Sequence, residues 1–210
     1  MRLFLSSYRA GRYEAELIRL FGRSARLAVI TNAKDYKSDG ERADSVREVM
    51  GFLTGLGFST TELDLRPHFA TDTDWEKYLA DYDGVWVAGG NTFVLRRALD
   101  AARLAGLLTD MVREGRLLYG GESAGAIMAT PSLTGVQYGD DPDVLPSGYL
   151  APTPWAGLGL VNTCLVPHFS SNWDGAAEMA VALEAAGEAY QTLTDDQVFV
   201  VDGEHQELLA

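Results

Sequence analysis

At 210 residues with 47% hydrophobic content, the chain has enough apolar material for a single domain, spanning 1–210, with a buried core. No run approaches the roughly 20 apolar residues needed to span a bilayer, and Met1 to Ser7 lacks the length and cleavage site of a signal peptide. The net charge of −13 is unevenly spread: no Lys or Arg follows Arg116, and the 13 acids beyond it repel phosphates, which argues against nucleic acid as a partner.

Short apolar runs alternate with amphipathic ones along the chain. Leu3-Phe4-Leu5 reads as a strand, and Tyr13 to Phe21 as a helix with Leu17, Leu20 and Phe21 at helical spacing. Arg26 to Thr31 is a buried strand. Ser38 caps a helix running to about Gly55, with Glu41 as its capping-box partner. Phe58 to Leu65 reads as strand, Thr73 to Tyr82 as helix and Gly84 to Ala88 as strand. Helices follow over Thr92 to Ala105 and Leu107 to Glu114, then a strand at Leu117-Leu118-Tyr119. This rhythm predicts an α/β fold with a mainly parallel central sheet and helices on both faces. Pro131 to Pro154, rich in Pro and Gly, reads as a long loop of the kind that is usually functional or mobile. The lone Cys164 excludes an intrachain disulfide and a multi-cysteine metal site, so a reduced, cytoplasmic setting is expected.

Gly120-Gly121-Glu122-Ser123-Ala124-Gly125-Ala126 joins a strand to an apolar helix. Glycines on both sides of Ser123 remove the bulk that would clash in a sharp turn, and the hydroxyl then stands at the sheet edge above a helix N-terminus. Ser123 is the expected nucleophile, with the Ala124 amide as an oxyanion donor. A plain helix cap is the bland alternative. A second glycine turn, Ala88-Gly89-Gly90-Asn91-Thr92, again links a strand to a helix, and the Gly90 amide is the second expected donor. It carries neither phosphate-loop pattern.

The base must come from His68, His168 or His205. His168 ends the apolar run Leu165-Val166-Pro167, which would bring it to the same sheet edge as Ser123 if that strand is parallel. The orienting acid is expected at Asp195, with Asp196 beside it and Asp140 as a rival. No cofactor or metal is called for.

These three motifs, in this order, resemble the peptidase E family of serine exopeptidases, the aspartyl dipeptidases related to cyanophycinase. The resemblance rests on Gly89-Gly90-Asn91-Thr92-Phe93, Gly121-Glu122-Ser123-Ala124-Gly125-Ala126 and Val166-Pro167-His168-Phe169. It implies a flavodoxin-like fold shared with class I glutamine amidotransferases. It also implies metal-free hydrolysis of short peptides with a free N-terminus, after an N-terminal aspartate, through an acyl-enzyme. Ser123 and His168 match the family's nucleophile and base, and Gly90 and Ala124 its oxyanion amides. Asp195 falls where the family has a carboxylate, often glutamate.

Two departures stand out. Relatives with aspartyl preference carry an arginine soon after the catalytic histidine, whereas Ser170 to Glu178 contains no base. A base from the first half, such as Arg9, Lys34, Lys37 or Arg96, must then reach in, or specificity differs. Glu122 precedes the nucleophile where many relatives have an aromatic or small residue, and it would favour a substrate's α-amino group or simply be a solvated acid. A catalytically silent amidotransferase-like domain and a small-molecule esterase remain the alternatives. Oligomeric state, a homodimer included, is not legible; Trp155 and Trp173 could line an interface, cover the site or fill the core.

Overall fold

The computed structural model describes residues 1–152, 154–169 and 175–210. Among them, alternation along the apolar strands decides the layers. In β1 (Arg2–Ser6), Leu3 and Leu5 join one buried cluster and Phe4 the other. β2 (Arg26–Ile30) divides Ala28 and Ile30 from Leu27 and Val29 in the same way, and β4 (Gly84–Val87) divides Val85 and Val87 from Trp86. Successive strand side chains point to opposite faces, so strands apolar on both sides require cover on both sides. Helices α1 (Glu14–Phe21) and α2 (Asp39–Gly55) supply it on the Phe4 face through Leu17, Leu20 and Leu53. Helices α4 (Thr92–Ala101) and α5 (Ala105–Arg113) supply it on the Leu5 face through Leu95, Leu99 and Leu108. The capping box predicted at Ser38 and Glu41 is present at the start of α2.

With β3 (Ser59–Glu62), β5 (Leu118–Glu122), β8 (Val198–Asp202) and β9 (His205–Leu209), the main sheet runs β3-β2-β4-β5-β1-β8-β9. The first five strands pair in parallel; β8 then pairs antiparallel with β1, and β9 antiparallel with β8, at one edge. The order β3-β2-β4-β5 is that of a flavodoxin-like sheet, whose ligands bind beyond the carboxyl ends of the strands. Helix α3 (Trp75–Leu79) is shorter than the run Thr73 to Tyr82 suggests, because Asp74 caps it by accepting the Lys77 amide. The two helices after β4 break near Ala102, so α4 stops before Ala105.

One expectation is corrected. β6 (Cys164–Val166), which leads to His168, is not a strand of the main sheet; it pairs in parallel with β7 (Tyr190–Thr192) in a separate two-stranded sheet. A third cluster holds that small sheet in place. Cys164 and Val166 pack with Phe93 of α4, Ile127 of α6 (Ala124–Met128), and Met179 and Leu183 of α7 (Ala176–Ala186). Fully buried side chains of this size contribute about 1.5–3 kcal/mol each. His205 opens β9. Among the described residues no helix is long and apolar enough to cross a membrane.

Candidate active site

β5 ends at Glu122, and the chain turns at once into α6. Ser123 takes the turn at φ 52° and ψ −114°, a conformation costly for a residue with a side chain. The turn is tied to β1 by the Ser123 amide, which donates to the Ser6 carbonyl at 2.9 Å. Gly125 lets α6 lie directly on β4: a Cβ there would sit 2.0 Å from the Val87 carbonyl oxygen. The Ser123 side chain makes no cap bond to its helix. Its Oγ lies 2.9 Å from His168 Nε2 instead.

His168 follows β6 and also has a positive φ, 59°. Its Nδ1 lies 2.6 Å from Asp195 Oδ1, in the loop after β7. The parallel pairing of β6 with β7 brings the two residues to one end of the small sheet, where the Phe169 amide also donates to the Leu193 carbonyl at 2.9 Å. The imidazole is largely enclosed, its side chain 17% exposed, while Asp195 is more open at 43%.

Gly90 holds φ 145° and passes so close to Ala33 that a Cβ would lie 2.4 Å from its carbonyl oxygen. Neither the Gly90 nor the Ala124 amide has an acceptor among the described residues, and both lie beside Ser123 in sequence or in space. Asn91 caps α4 by accepting the Val94 amide at 2.9 Å, so the second glycine turn is also a helix start.

The other sequence candidates lie elsewhere. Asp140 accepts from the Thr92 amide at 2.8 Å and the Thr92 hydroxyl at 2.6 Å, which places it on the start of α4. Burial pushes its carboxyl above the ordinary aspartate range, and the two Thr92 bonds pull against that. Asp196 turns outward and pairs with Arg12. His68 is 3.0 Å from Thr73 Oγ1, and His205 pairs with Glu207 on an exposed strand. Cys164 is buried on β6, its thiol pushed up to about 12 by burial and Glu188.

A cavity of about 210 Å³ opens beside Ser123 and His168 at the carboxyl ends of β1, β2, β4 and β5. Glu122, Lys34, Arg9 and Phe52 line it. Two of the four bases weighed from sequence therefore reach the site. Lys37 instead donates to Ser45 at 3.3 Å, and Arg96 pairs with Asp100 on α4 at 2.9 Å. Part of the base-free segment, 170–174, and Trp173 with it, lies outside the described residues. Trp155 is 48% exposed, its ring against Phe93. Glu122 is not a solvated acid: it is 8% exposed and accepts the Arg9 amide at 2.9 Å. Burial pushes its carboxyl up, opposed by that bond and by Lys34. Burial pulls the Lys34 ammonium below the ordinary lysine range, opposed by Glu122.

One participant was not anticipated. Ser7, just past β1 and fully buried, donates to Asp195 Oδ1 at 2.8 Å and accepts the His168 amide at 2.7 Å. A serine at a strand end has no spacing signature, so nothing in the sequence singles it out.

A hydroxyl, an imidazole and a carboxylate bonded in series beside unengaged amides is the equipment of a serine hydrolase. Residues 12–209 match Peptidase family S51, and the chain belongs to that family. It is 31% identical over 140 residues to a Listeria innocua protein described as an uncharacterized peptidase, covering 61% of this chain and 62% of that one. It is 32% identical over 117 residues to a Drosophila melanogaster protein named "Probable alpha-aspartyl dipeptidase", covering 56% and 43%. The match thus spans less than two thirds of either relative. Its fold is that of a Listeria monocytogenes EGD-e protein assigned to peptidase E, with TM-score 0.77, 22% identity, and 99% and 97% of the two chains covered. A peptidase from an acI-B1 actinobacterium shares it at TM-score 0.69 and 16% identity, covering 99% and 86%.

Proposed function

We propose that the chain is a serine exopeptidase of the dipeptidase type, cleaving short peptides from a free N-terminus. The observation that carries this reading is the series Ser123 Oγ, His168 and Asp195, joined at 2.9 and 2.6 Å. Ser123 attacks the scissile carbonyl while His168 Nε2 takes its proton. The tetrahedral oxyanion rests on the amides of Gly90 and Ala124. Collapse breaks the peptide C–N bond, and the imidazolium returns its proton to the leaving amine. Water, deprotonated by His168, then cleaves the acyl-enzyme and restores Ser123. Asp195 keeps Nδ1 protonated, so that Nε2 presents its lone pair to the nucleophile.

The substrate preference follows from the cavity, whose volume suits a small ligand. Glu122 takes the substrate's α-ammonium, which is why a free N-terminus is required. Lys34 takes an acidic first side chain, replacing the arginine that the segment after His168 lacks. The alpha-aspartyl dipeptidase name of the Drosophila relative supports the same preference. The single cysteine favours a cytoplasmic working place.

The test is a panel of Asp-X, Glu-X and Ala-X dipeptides, their N-acetylated forms, longer peptides and short esters, with Ser123→Ala as control. Asp-X cleavage abolished by Ser123→Ala is expected. Ester cleavage without peptide cleavage would sink the peptidase reading, and failure to react with a fluorophosphonate would leave a silent binding domain.

A further inference from the structure

We propose that Ser7 is a positioning residue that clamps the base and the acid of the site against the sheet carrying the nucleophile. The inference rests on the serine-hydrolase reading of Ser123, His168 and Asp195. Ser123 belongs to the main sheet through β5, whereas His168 and Asp195 belong to the two-stranded sheet. Two separately built sheets must therefore be held in register to within a hydrogen bond. Ser7 sits between them, anchored to β1, and bonds to both residues across the gap.

The protons of this cluster decide what Ser7 does. Its hydroxyl has one hydrogen, and the nearer acceptor is Asp195 Oδ1 at 2.8 Å, against 3.3 Å to His168 Nδ1. With that hydrogen on Asp195, the same carboxylate oxygen is left to accept the Nδ1–H of His168 at 2.6 Å. The tautomer with a bare Nε2 facing Ser123 is then the one that satisfies every group. Were Ser7 to donate to Nδ1 instead, the proton would move to Nε2 and the base would be blocked. Asp195 is 43% exposed and could otherwise swing toward water, so a buried donor on it restrains the acid. The second bond acts on the backbone. His168 holds a left-handed φ of 59°, which persists only where its surroundings fix it, and Ser7 Oγ takes the amide of that residue at 2.7 Å.

The experiment compares wild type with Ser7→Ala and Ser7→Cys, the latter close in size and still a weak donor. Two readouts are used: steady-state Asp-X cleavage, and the second-order rate of fluorophosphonate labelling at Ser123. Ser7→Ala is expected to lower kcat by about 10- to 100-fold with KM within about twofold, since small misplacements of reacting groups cost on that order. Labelling should slow by a similar factor, with Ser7→Cys in between on both measures. Wild-type kcat and labelling rate in Ser7→Ala would overturn the inference. So would a loss confined to KM, which would make Ser7 a substrate contact. Should Ser7→Ala fail to fold by circular dichroism, Ser7→Cys is judged by the same split. A wild-type chain that labels but cleaves no peptide would overturn the peptidase reading alone, and the labelling rates would still decide the role of Ser7.

Discussion

Lys34, just beyond β2, and Glu122, at the end of β5, line one cavity without forming an ion pair. Each is half-buried or more, and each shifts the other's ionisation only as a secondary effect behind burial. Opposite charges lining one cavity beside Ser123 would suit a ligand that carries both an ammonium and a carboxylate. An N-terminal acidic residue is such a ligand.

Lys34→Met is expected to cut kcat/KM for Asp-X at least about tenfold and to leave Ala-X nearly unchanged, because a charge-assisted bond is worth roughly 1.5–3 kcal/mol. The same change should stabilise the fold. Burial holds the Lys34 ammonium below its ordinary range, so the native state releases that proton sooner than the unfolded chain does. Its contribution is therefore full above the unfolded value near 10.5 and is lost as pH falls through the folded one. Thermal melts should show Lys34→Met ahead of wild type at neutral pH and level with it above about 10.5. Equal loss on Asp-X and Ala-X would refute the carboxylate-reading role.

Glu122→Gln tests the other pole. Burial raises its carboxyl, so the native state holds the proton longer than the unfolded chain; its contribution is full below the unfolded value near 4.5 and is lost as pH rises through the folded one. Glutamine keeps an acceptor for the Arg9 amide and removes the charge. The variant should melt higher than wild type near pH 7.5, with the gap closing toward pH 4.5. Its KM for free-amine peptides should rise several-fold. A lower melting temperature at pH 7.5 would contradict this account of the buried charge.

The two rival acids separate cleanly. Asp195→Asn should lower kcat by at least about 10²-fold, because an amide in that place favours the wrong imidazole tautomer. Asp140→Asn should keep kcat within a few-fold and change stability by no more than about 1 kcal/mol, since asparagine keeps an acceptor for the Thr92 amide and hydroxyl and removes a charge that burial penalises. Kinetics and denaturant melts on the two variants decide it: the reverse pattern would move the acid to Asp140.

What the sequence made legible follows from where local chemistry is decisive. The glycines around Ser123 and at Gly90 exist because backbones pass too close for a Cβ, and such constraints print directly as residue type. The alternating strands and the Ser38 capping box print for the same reason. The small sheet does not. Strands of three residues carry too little pattern, and α7, Ala-Ala-Glu-Met-Ala-Val-Ala-Leu-Glu-Ala-Ala, has too few polar residues to show a sharply defined buried face. His168 was visible as a strand end, but which sheet it ends was a tertiary fact. Lys34 and Arg9 enter the cavity for a similar reason: separate strand ends, far apart in sequence, converge only once the sheet is ordered.

Gly125 offers the most direct check of how the turn at Ser123 is built. The α6 backbone rests against β4 so closely that a methyl group at Gly125 would lie 2.0 Å from the Val87 carbonyl oxygen and 2.7 Å from its carbon. Both are main-chain atoms in the middle of a seven-stranded sheet, so the strand has nowhere to yield. Gly125→Ala must therefore push α6 away from the sheet, taking with it the Ala124 amide and the Ser123 hydroxyl. A loss of about 3 kcal/mol or more is expected, as for severe overpacking, which would lower Tm by roughly 6–12 °C. Fluorophosphonate labelling of the folded fraction should also slow, since the hydroxyl no longer meets His168 Nε2 at bonding distance. Gly51 is the control. It lies within α2 with open space where its Cβ would go, so Gly51→Ala should gain about 0.5–1 kcal/mol from helix propensity and label at the wild-type rate. If Gly125→Ala melted and labelled like Gly51→Ala, the close packing of α6 on β4 would not be what shapes the turn.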